Sequence, residues 1–161
     1  MRNRTVVSNS TPIIALLRIG RLSILEELYG ALIIPKAVHV EVTVKDASAL
    51  DGFEWIDVRN IANIAAKEAF AATLHDGEVE AMLLAKEIGA SLIIMDDGLA
   101  RKHAKYLNLT VTGTVGVLLR AKRDGIINEI RPVLNDLVRQ GFYISDDVLR
   151  EVRRLAGEIT G

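Results

Sequence analysis

Polar side chains that could do chemistry follow three of the apolar segments in this sequence. They are Ser8, Asn9 and Ser10 after residues 5–7, Asp96 and Asp97 after residues 91–95, and Thr112 and Thr114 after residues 109–111. In open parallel sheets, ligands bind at the carboxyl ends of the strands. If the three apolar segments are strands of such a sheet, these oxygen-bearing side chains converge on one edge.

Two further acidic positions extend this set of oxygen ligands. Asp76 and Glu78 stand at the start of a predicted helix, and Glu41 lies between the second and third predicted strands. A cluster of oxygen ligands without cysteine or paired histidines suits Mg²⁺ or Mn²⁺. Such an ion activates water and stabilises charge on a phosphodiester. The residues therefore point to a metal-dependent nuclease or another phosphotransfer enzyme.

Each of these residues also has a structural interpretation. Asp76 and Glu78 are good helix-start residues, because acidic side chains complement the helix dipole there. The Asp96-Asp97 pair before Gly98 is compatible with a simple turn from strand to helix, and Glu41 with an ordinary solvated residue. Ser10 and Thr112 stand where caps and turns occur. Spacing alone leaves both interpretations open.

Composition excludes several other classes of site. The chain has 161 residues, no cysteine and a formal net charge of −1, so thiolate metal sites, cysteine nucleophiles and a polybasic coat are absent. The sequence also lacks the glycine-rich dinucleotide and phosphate-loop motifs and the serine elbow of acyl transfer. We find no secretory signal and no apolar run of the roughly 18 residues that a membrane span needs. We therefore expect a cytoplasmic protein that does not enter a membrane.

Short strand-like segments alternate with longer helical ones, which predicts βαβ units and a mostly parallel sheet. The predicted strands are residues 5–7, 31–34, 54–58, 91–95 and 109–111. The predicted helices are residues 13–19, 23–30 (with a capping box from Ser23 to Glu26), 61–73, 79–88, 99–107, 115–123, 128–139 and 146–156, with an extended piece at 142–144. We expect Ser10 to supply a capping hydroxyl to the first of these helices.

Residues 36–45 are ambiguous. Val38, Val40, Val42 and Val44 alternate as in a strand, whereas Pro35 favours the start of a helix.

In order along the chain, five segments resemble the motifs of PIN domains. They are residues 6–16 (VVSNSTPIIAL), 40–42 (VEV), 76–81 (DGEVEA), 93–101 (IIMDDGLAR) and 111–118 (VTGTVGVL). No one motif is specific, but the ordered set spans nearly the whole chain. It is most similar to the PIN-like proteins of archaea and bacteria that are often paired with an antitoxin.

The resemblance implies a three-layer α/β/α sandwich with a parallel four- to five-stranded sheet and C-terminal helices. It also implies one domain over residues 1–161, of which 128–161 form a helical extension, and a helix at residues 36–45. The implied activity is Mg²⁺- or Mn²⁺-dependent cleavage of single-stranded RNA, as the toxin of a toxin–antitoxin pair. The residues carried over as metal ligands are Asn9, Glu41, Glu78, Asp96, Asp97 and Thr114, with Asn9, Glu41, Glu78 and Asp97 as the catalytic set.

Asn9 departs from the family pattern, in which an aspartate follows the first strand. An amide oxygen can bind a hard cation but adds no negative charge, so an inactive PIN-like module that binds RNA or protein is the alternative function. Arg101, Lys102, Lys105, Ser10 and Thr112 are the candidate nucleic-acid contacts. A second basic group, Arg120, Lys122 and Arg123, ends the helix after Thr114.

The resemblance further implies an antitoxin partner and a homodimer. Leu22, Leu25, Leu28 and Tyr29 form an apolar stripe that suits either a dimer interface or the core of one chain.

Overall fold

Five short strands form one parallel sheet with the order β3-β2-β1-β4-β5. The computed structural model describes residues 5–70 and 74–158. The strands are β1 (Val6–Ser8), β2 (Leu32–Pro35), β3 (Ile56–Arg59), β4 (Leu92–Ile94) and β5 (Val111–Thr112). Each lies within two residues of a predicted strand, so the parallel-sheet prediction is confirmed.

Helices connect the strands and follow the last of them. Those in the described residues are α1 (Ser10–Arg18), α2 (Ser23–Tyr29), α3 (Lys36–Thr43), α4 (Ile64–Glu68), α5 (Asp76–Ile88), α6 (Gly98–Tyr106), α7 (Thr114–Arg123), α8 (Arg131–Arg139) and α9 (Asp146–Leu155). They lie on both faces of the sheet, which gives the expected three-layer α/β/α architecture.

Alternate residues of the central strands enter two separate cores, as the two-residue period of a strand requires. Val6 and Ile94 pack with α1, α2, α7 and α8 on one face. Val7 and Ile93 pack with α5 and α6 on the other. Because both faces are covered, the strands are continuously apolar, and this pattern made β4 the clearest strand in the sequence.

The ambiguous segment at residues 36–45 contains helix α3. Val38 and Val42 are buried, whereas Val40 and Val44 are about half or more exposed, at 51% and 73%. Residues four apart share one face of a helix, and residues two apart lie on opposite faces. The valine alternation is therefore compatible with a helix, and the resemblance predicted this segment correctly.

Two details of the sequence prediction are wrong. Of the helix predicted at 61–73, the structure shows only α4 (Ile64–Glu68). It starts where the Asn63 side chain accepts a bond from the Ala66 N–H (3.0 Å). Residues 71–73 of the prediction lie outside the described residues. Helix α8 begins at Arg131 rather than at 128, with Pro132 in its first turn. Residues 142–144, predicted as an extended piece, belong to neither a helix nor a strand.

Two predicted helix caps are also wrong. Ser23 is the first residue of α2 rather than its cap, and no side chain caps that helix. Ser10 likewise lies inside α1, whose N-cap is Asn9.

The apolar stripe of α2 belongs to the core of the chain. Leu22, Leu25, Leu28 and Tyr29 are each 9% exposed or less and pack in the core beside α1 and α7. The intrachain alternative is therefore confirmed, and this stripe supplies no dimer interface.

Glu158 ties the described end of the chain to the helices after the sheet. Its carboxylate accepts bonds from the Ile130 N–H (2.7 Å), the Arg131 N–H (3.1 Å) and the Lys122 Nζ (3.0 Å). Burial alone would raise the pKa of Glu158, but these three donors together hold it below its ordinary value. The charged form is therefore the one that stabilises the fold. Residues 159–161 of the predicted extension lie outside the described part.

We predict that Glu158→Gln lowers the free energy of unfolding at pH 7 by about 1–3 kcal/mol, because the variant loses charge-assisted bonds, two of which are partly buried. A lowered folded-state pKa gives stability that is complete above the unfolded value of about 4.3 and is lost as the pH falls through the folded value. The difference from wild type should therefore shrink below about pH 4.3. Urea unfolding at pH 7 and pH 3.5 measures this. Glu151→Gln, at an exposed carboxylate of α9, is the control, and an equal loss there would contradict the prediction.

Candidate functional site

The candidate site lies at the point where the strand order of the sheet reverses. Strands β1 and β4 are neighbours, and from them the chain proceeds outward to β2 and β3 on one side and to β5 on the other. Ligands of open α/β sheets bind in the crevice at this switch point. Asn9 follows β1, and its N–H donates to the Ile94 carbonyl (2.9 Å). Asp96 follows β4, so the two side chains leave adjacent strand ends.

Asn9 presents a buried acceptor that no group in the described residues satisfies. The residue is 3% exposed, and its Oδ1 has no hydrogen-bond partner. It is the N-cap of α1, where an asparagine oxygen ordinarily accepts a backbone N–H from the second or third helical residue. Here the third residue is Pro12, which has no N–H to give, and no cap bond forms. The amide oxygen is therefore left available for a ligand.

Glu41 of α3 presents a second unsatisfied acceptor. Its Oε1 is buried without a hydrogen-bond partner. The carboxylate lies against the backbone of Gly77 in α5, because a Cβ added at Gly77 would overlap Glu41 Oε1. Glycine at position 77 is therefore what lets the carboxylate of α3 approach α5 so closely.

A separate set of bonds fixes how α3 and α5 pack. The Glu80 side chain of α5 accepts a bond from the Ala37 N–H at the start of α3 (3.1 Å), and it is ion-paired with Lys67 (2.7 Å). One turn further along α3 is Glu41, and one turn back along α5 is Gly77. Glu80 thus holds the two helices in the register that places the Glu41 carboxylate.

The surroundings of Glu41 raise its pKa above the ordinary value. Burial is the largest cause, and the negative charges of Glu78 and Asp76 add to it. The Ser10 hydroxyl and His75 act in the opposite direction and do not cancel the effect. A buried carboxylate beside other acids is costly to charge, and a bound cation would remove that cost.

Glu78 is placed beside Glu41 and also starts its helix. It is 6% exposed, and its Oε1 accepts a bond from the His75 N–H (3.0 Å). This is the bond that an acidic third residue makes in a capping box. The structural interpretation of Glu78 therefore holds, and the same bond fixes the carboxylate next to Glu41.

Asp96 binds the start of α7 on the other side of the crevice. Its Oδ1 accepts a bond from the Thr114 N–H (2.8 Å), and its Oδ2 from the Thr114 hydroxyl (2.6 Å). A Cβ at Gly113 would lie 2.8 Å from Oδ1 and 3.0 Å from the Arg101 guanidinium. Gly113 therefore leaves room for both charged groups over this turn.

Asp97 and the basic residues after it lie further from the crevice, at the surface of the protein. Asp97 is exposed and caps α6 by accepting a bond from the Ala100 N–H (2.9 Å). Lys102 and Lys105 are exposed on α6. On β5, the Thr112 hydroxyl lies against Gly116, where an added Cβ would overlap it. Thr112 therefore packs against α7.

The structure brings some of the predicted ligands together and leaves others apart. Asn9, Glu41 and Glu78 lie on one side of the crevice; Asp96 and Thr114 bind each other on the other side. Within residues 5–70 and 74–158, no three His, Cys, Asp or Glu side chains are grouped closely enough to hold a metal ion by themselves. The oxygen donors that fit a hard cation are instead the two unsatisfied buried acceptors, Asn9 Oδ1 and Glu41 Oε1.

Sequence reasoning missed the residues that position these ligands. Gly77 and Gly113 leave space for neighbouring side chains, and Glu80 joins two helices. No pattern in the nearby sequence indicates either role. The one available signal was Gly77 itself, because a glycine between two acids in a helix start indicates a close approach.

Comparison with known proteins agrees with this architecture. A family model, DUF3368, described as a PIN domain, matches residues 5–158. The chain belongs to the PIN-domain family. Among solved structures, a PilT N-terminus domain protein from the hyperthermophilic archaeon Sulfolobus solfataricus P2 is similar, with a TM-score of 0.55 and 22% sequence identity. The match covers 73% of this chain and 92% of that one. A search of curated proteins finds no match.

The family membership confirms the resemblance and places the protein among PIN-type nucleases, which generally depend on divalent metal ions. Within the described residues, no helix of this PIN domain is long and apolar enough to cross a bilayer.

We predict that Gly77→Ala weakens Mn²⁺ binding by about tenfold or more, the range found when a group that orients a metal ligand is removed. The new Cβ displaces the Glu41 side chain, while alanine is no worse than glycine for the helix itself. Titration calorimetry gives the affinity, and thermal unfolding confirms the fold. Gly98→Ala is the matched control, because a Cβ there meets nothing within 4 Å. Unchanged Mn²⁺ affinity in a folded Gly77→Ala protein would contradict the assignment.

Proposed function

We propose that this PIN-domain protein is a metal-dependent endoribonuclease that cleaves single-stranded RNA. The observation that carries the proposal is the pair of buried acceptors, Asn9 Oδ1 and Glu41 Oε1, that no donor in the described residues satisfies. They lie beside the switch point of the sheet, in a chain that belongs to the PIN-domain family. Two buried acceptors without donors are costly unless a ligand satisfies them.

Asn9, Glu41 and Glu78 are the residues that would hold Mg²⁺ or Mn²⁺, with Asp96 and Thr114 across the crevice and Asp97 further out at the start of α6. A bound ion of this kind supplies a water of lowered pKa and neutralises charge on a phosphodiester. The role of the chain is to bury and fix these oxygens. Gly77 and Glu80 hold Glu41 in place, the His75 N–H holds Glu78, and Thr114 holds Asp96.

The RNA strand would lie along the basic side of the crevice. Lys102 and Lys105 are exposed on the helix that Asp97 caps, and Arg101 lies near Asp96. Ser10 and Thr112 are further candidate contacts at the strand ends, although each already packs against a neighbouring group. Phosphate neutralisation by these cations makes binding fall steeply with salt.

The proposal includes the partners that the family resemblance implies, an antitoxin protein and a second copy of the chain. A surface suited to protein contact exists on α3, where the exposed Val40 and Val44 are four residues apart and share one face. This face adjoins the candidate site, so a partner bound there would lie close to Glu41.

A second candidate function is an RNA-binding PIN module without catalytic activity. Two observations favour it. Position 9 supplies an amide in place of a carboxylate, and both aspartates after β4 are already hydrogen-bonded, Asp96 to the start of α7 and Asp97 to the start of α6. Fewer free charges weaken the hold on a divalent ion.

A ribonuclease assay with Mn²⁺ on unstructured RNA separates the two functions. We predict that the wild type cuts, that Asp97→Asn loses at least about tenfold in rate because a carboxylate near the ion is neutralised, and that Asn9→Asp cuts faster because it adds a charge. The control is Asp51→Asn, which neutralises an exposed carboxylate in the loop between α3 and β3.

Cleavage by Asn9→Asp alone would support the inactive module and overturn the nuclease proposal. Equal cleavage by the wild type and Asp97→Asn would remove Asp97 from the catalytic set.

A further inference from the structure

Strand β5 leaves one side of the sheet open. It is the last strand in the order, so in the described residues no further strand pairs with it. The carbonyls of Thr110 and Thr112 accept bonds from the N–H groups of Ile93 and Met95, each at 2.9 Å. Backbone groups alternate in direction along a strand. The N–H and C=O of Val111 therefore face outward, away from β4.

A cavity of about 670 Å³ lies beside this open edge. Its walls are β5, one face of α7 and the end of α9. Apolar side chains of Val111, Leu119 and Leu155 line it, and Leu155 is 59% exposed although it is large and apolar. An open strand edge next to an exposed apolar cavity is the combination that binds extended peptides.

The charge around this cavity is strongly one-sided. Arg120, Lys122 and Arg123 line it together with no acidic side chain. Residues 98–123, from α6 through β5 to α7, contain six lysines or arginines and no aspartate or glutamate, in a chain whose net charge is −1. Asp124 pairs with Arg120 and Glu158 with Lys122, while Arg123 makes no ion pair within the described residues. The edge therefore favours an acidic partner.

We propose that this edge binds an acidic, extended peptide segment of a partner protein, which adds to the sheet as a sixth strand beside β5. The outward N–H and C=O of Val111 pair with the peptide backbone. An apolar side chain of the peptide enters the cavity against Leu119 and Leu155, and its carboxylates meet Arg120 and Arg123. The proposal does not depend on catalysis, because none of these residues belongs to the candidate site.

The same observations disfavour RNA as the occupant. Single-stranded RNA is held by stacking of its bases on aromatic side chains as well as by cations. The one aromatic residue in the cavity lining is Tyr29, which is 4% exposed. In addition, the Val111 carbonyl repels a phosphate, whereas it accepts a bond from the N–H of a peptide.

The test is a selection of random nine-residue peptides on the full-length protein, followed by binding measurements with the enriched peptides. Three variants probe the edge. Val111→Pro removes the outward N–H without breaking the bonds to β4, since proline is tolerated on edge strands. Arg120→Glu combined with Arg123→Glu reverses the charge. Val58→Pro is the matched control, because Val58 is a 42% exposed residue of β3 at the opposite edge of the sheet.

We expect the enriched peptides to alternate apolar residues with aspartate or glutamate. Val111→Pro and the double arginine variant should each weaken their binding by about tenfold or more, since each removes a hydrogen bond or ion pairs that the bound peptide needs. Val58→Pro should bind as the wild type does, and thermal unfolding of every variant checks the fold.

Several outcomes would overturn the proposal. One is a selection that enriches no peptide, or enriches basic ones. Another is an equal loss of peptide affinity in Val58→Pro and Val111→Pro. A third is tighter binding of oligouridylate than of any peptide at this edge. Conversion of a wild-type dimer into a monomer by Val111→Pro, measured by sedimentation, would show that a second copy occupies the edge instead.

Discussion

The close contact between α3 and α5 is the constraint on which the candidate site depends. The Glu41 carboxylate can be buried only because residue 77 has no side chain, and the helices hold that register through the bond from the Ala37 N–H to Glu80. Burying a carboxylate next to Glu78 and Asp76 raises its pKa and therefore costs stability. A cation bound beside Glu41 would remove that cost.

The sequence was sufficient to predict the sheet, because the central strands β1, β2 and β4 are buried on both faces and are therefore almost continuously apolar. Asn9, Asp96 and Thr114 could also be assigned to one edge, since parallel strands present their carboxyl ends together. The alternation of the valines left the segment of α3 ambiguous, because residues two apart share one face of a strand but lie on opposite faces of a helix. The start of α4 is set by a single side chain, Asn63, which caps the helix. The spacing of apolar residues does not locate a boundary of this kind.

The roles of the individual acidic residues could not be predicted from the sequence, for a different reason. Asp96 and Asp97 are adjacent, yet one binds the start of α7 and the other caps α6. Which carboxylate oxygens remain free depends on where neighbouring backbone N–H groups point. For the same reason, the unsatisfied Asn9 oxygen could not be foreseen, although Pro12 at the third helical position removes one of the two N–H groups that ordinarily satisfy such an oxygen.

The central claim is that Asn9 Oδ1 and Glu41 Oε1 together bind a divalent cation. The most direct test is a crystal of the protein soaked in Mn²⁺, with anomalous scattering used to locate the ion. The account predicts one strong peak in the crevice between β1 and α3, within direct coordination distance of both oxygens. A difference map with no peak there, or with a peak bound only by surface carboxylates such as Asp97, would contradict it.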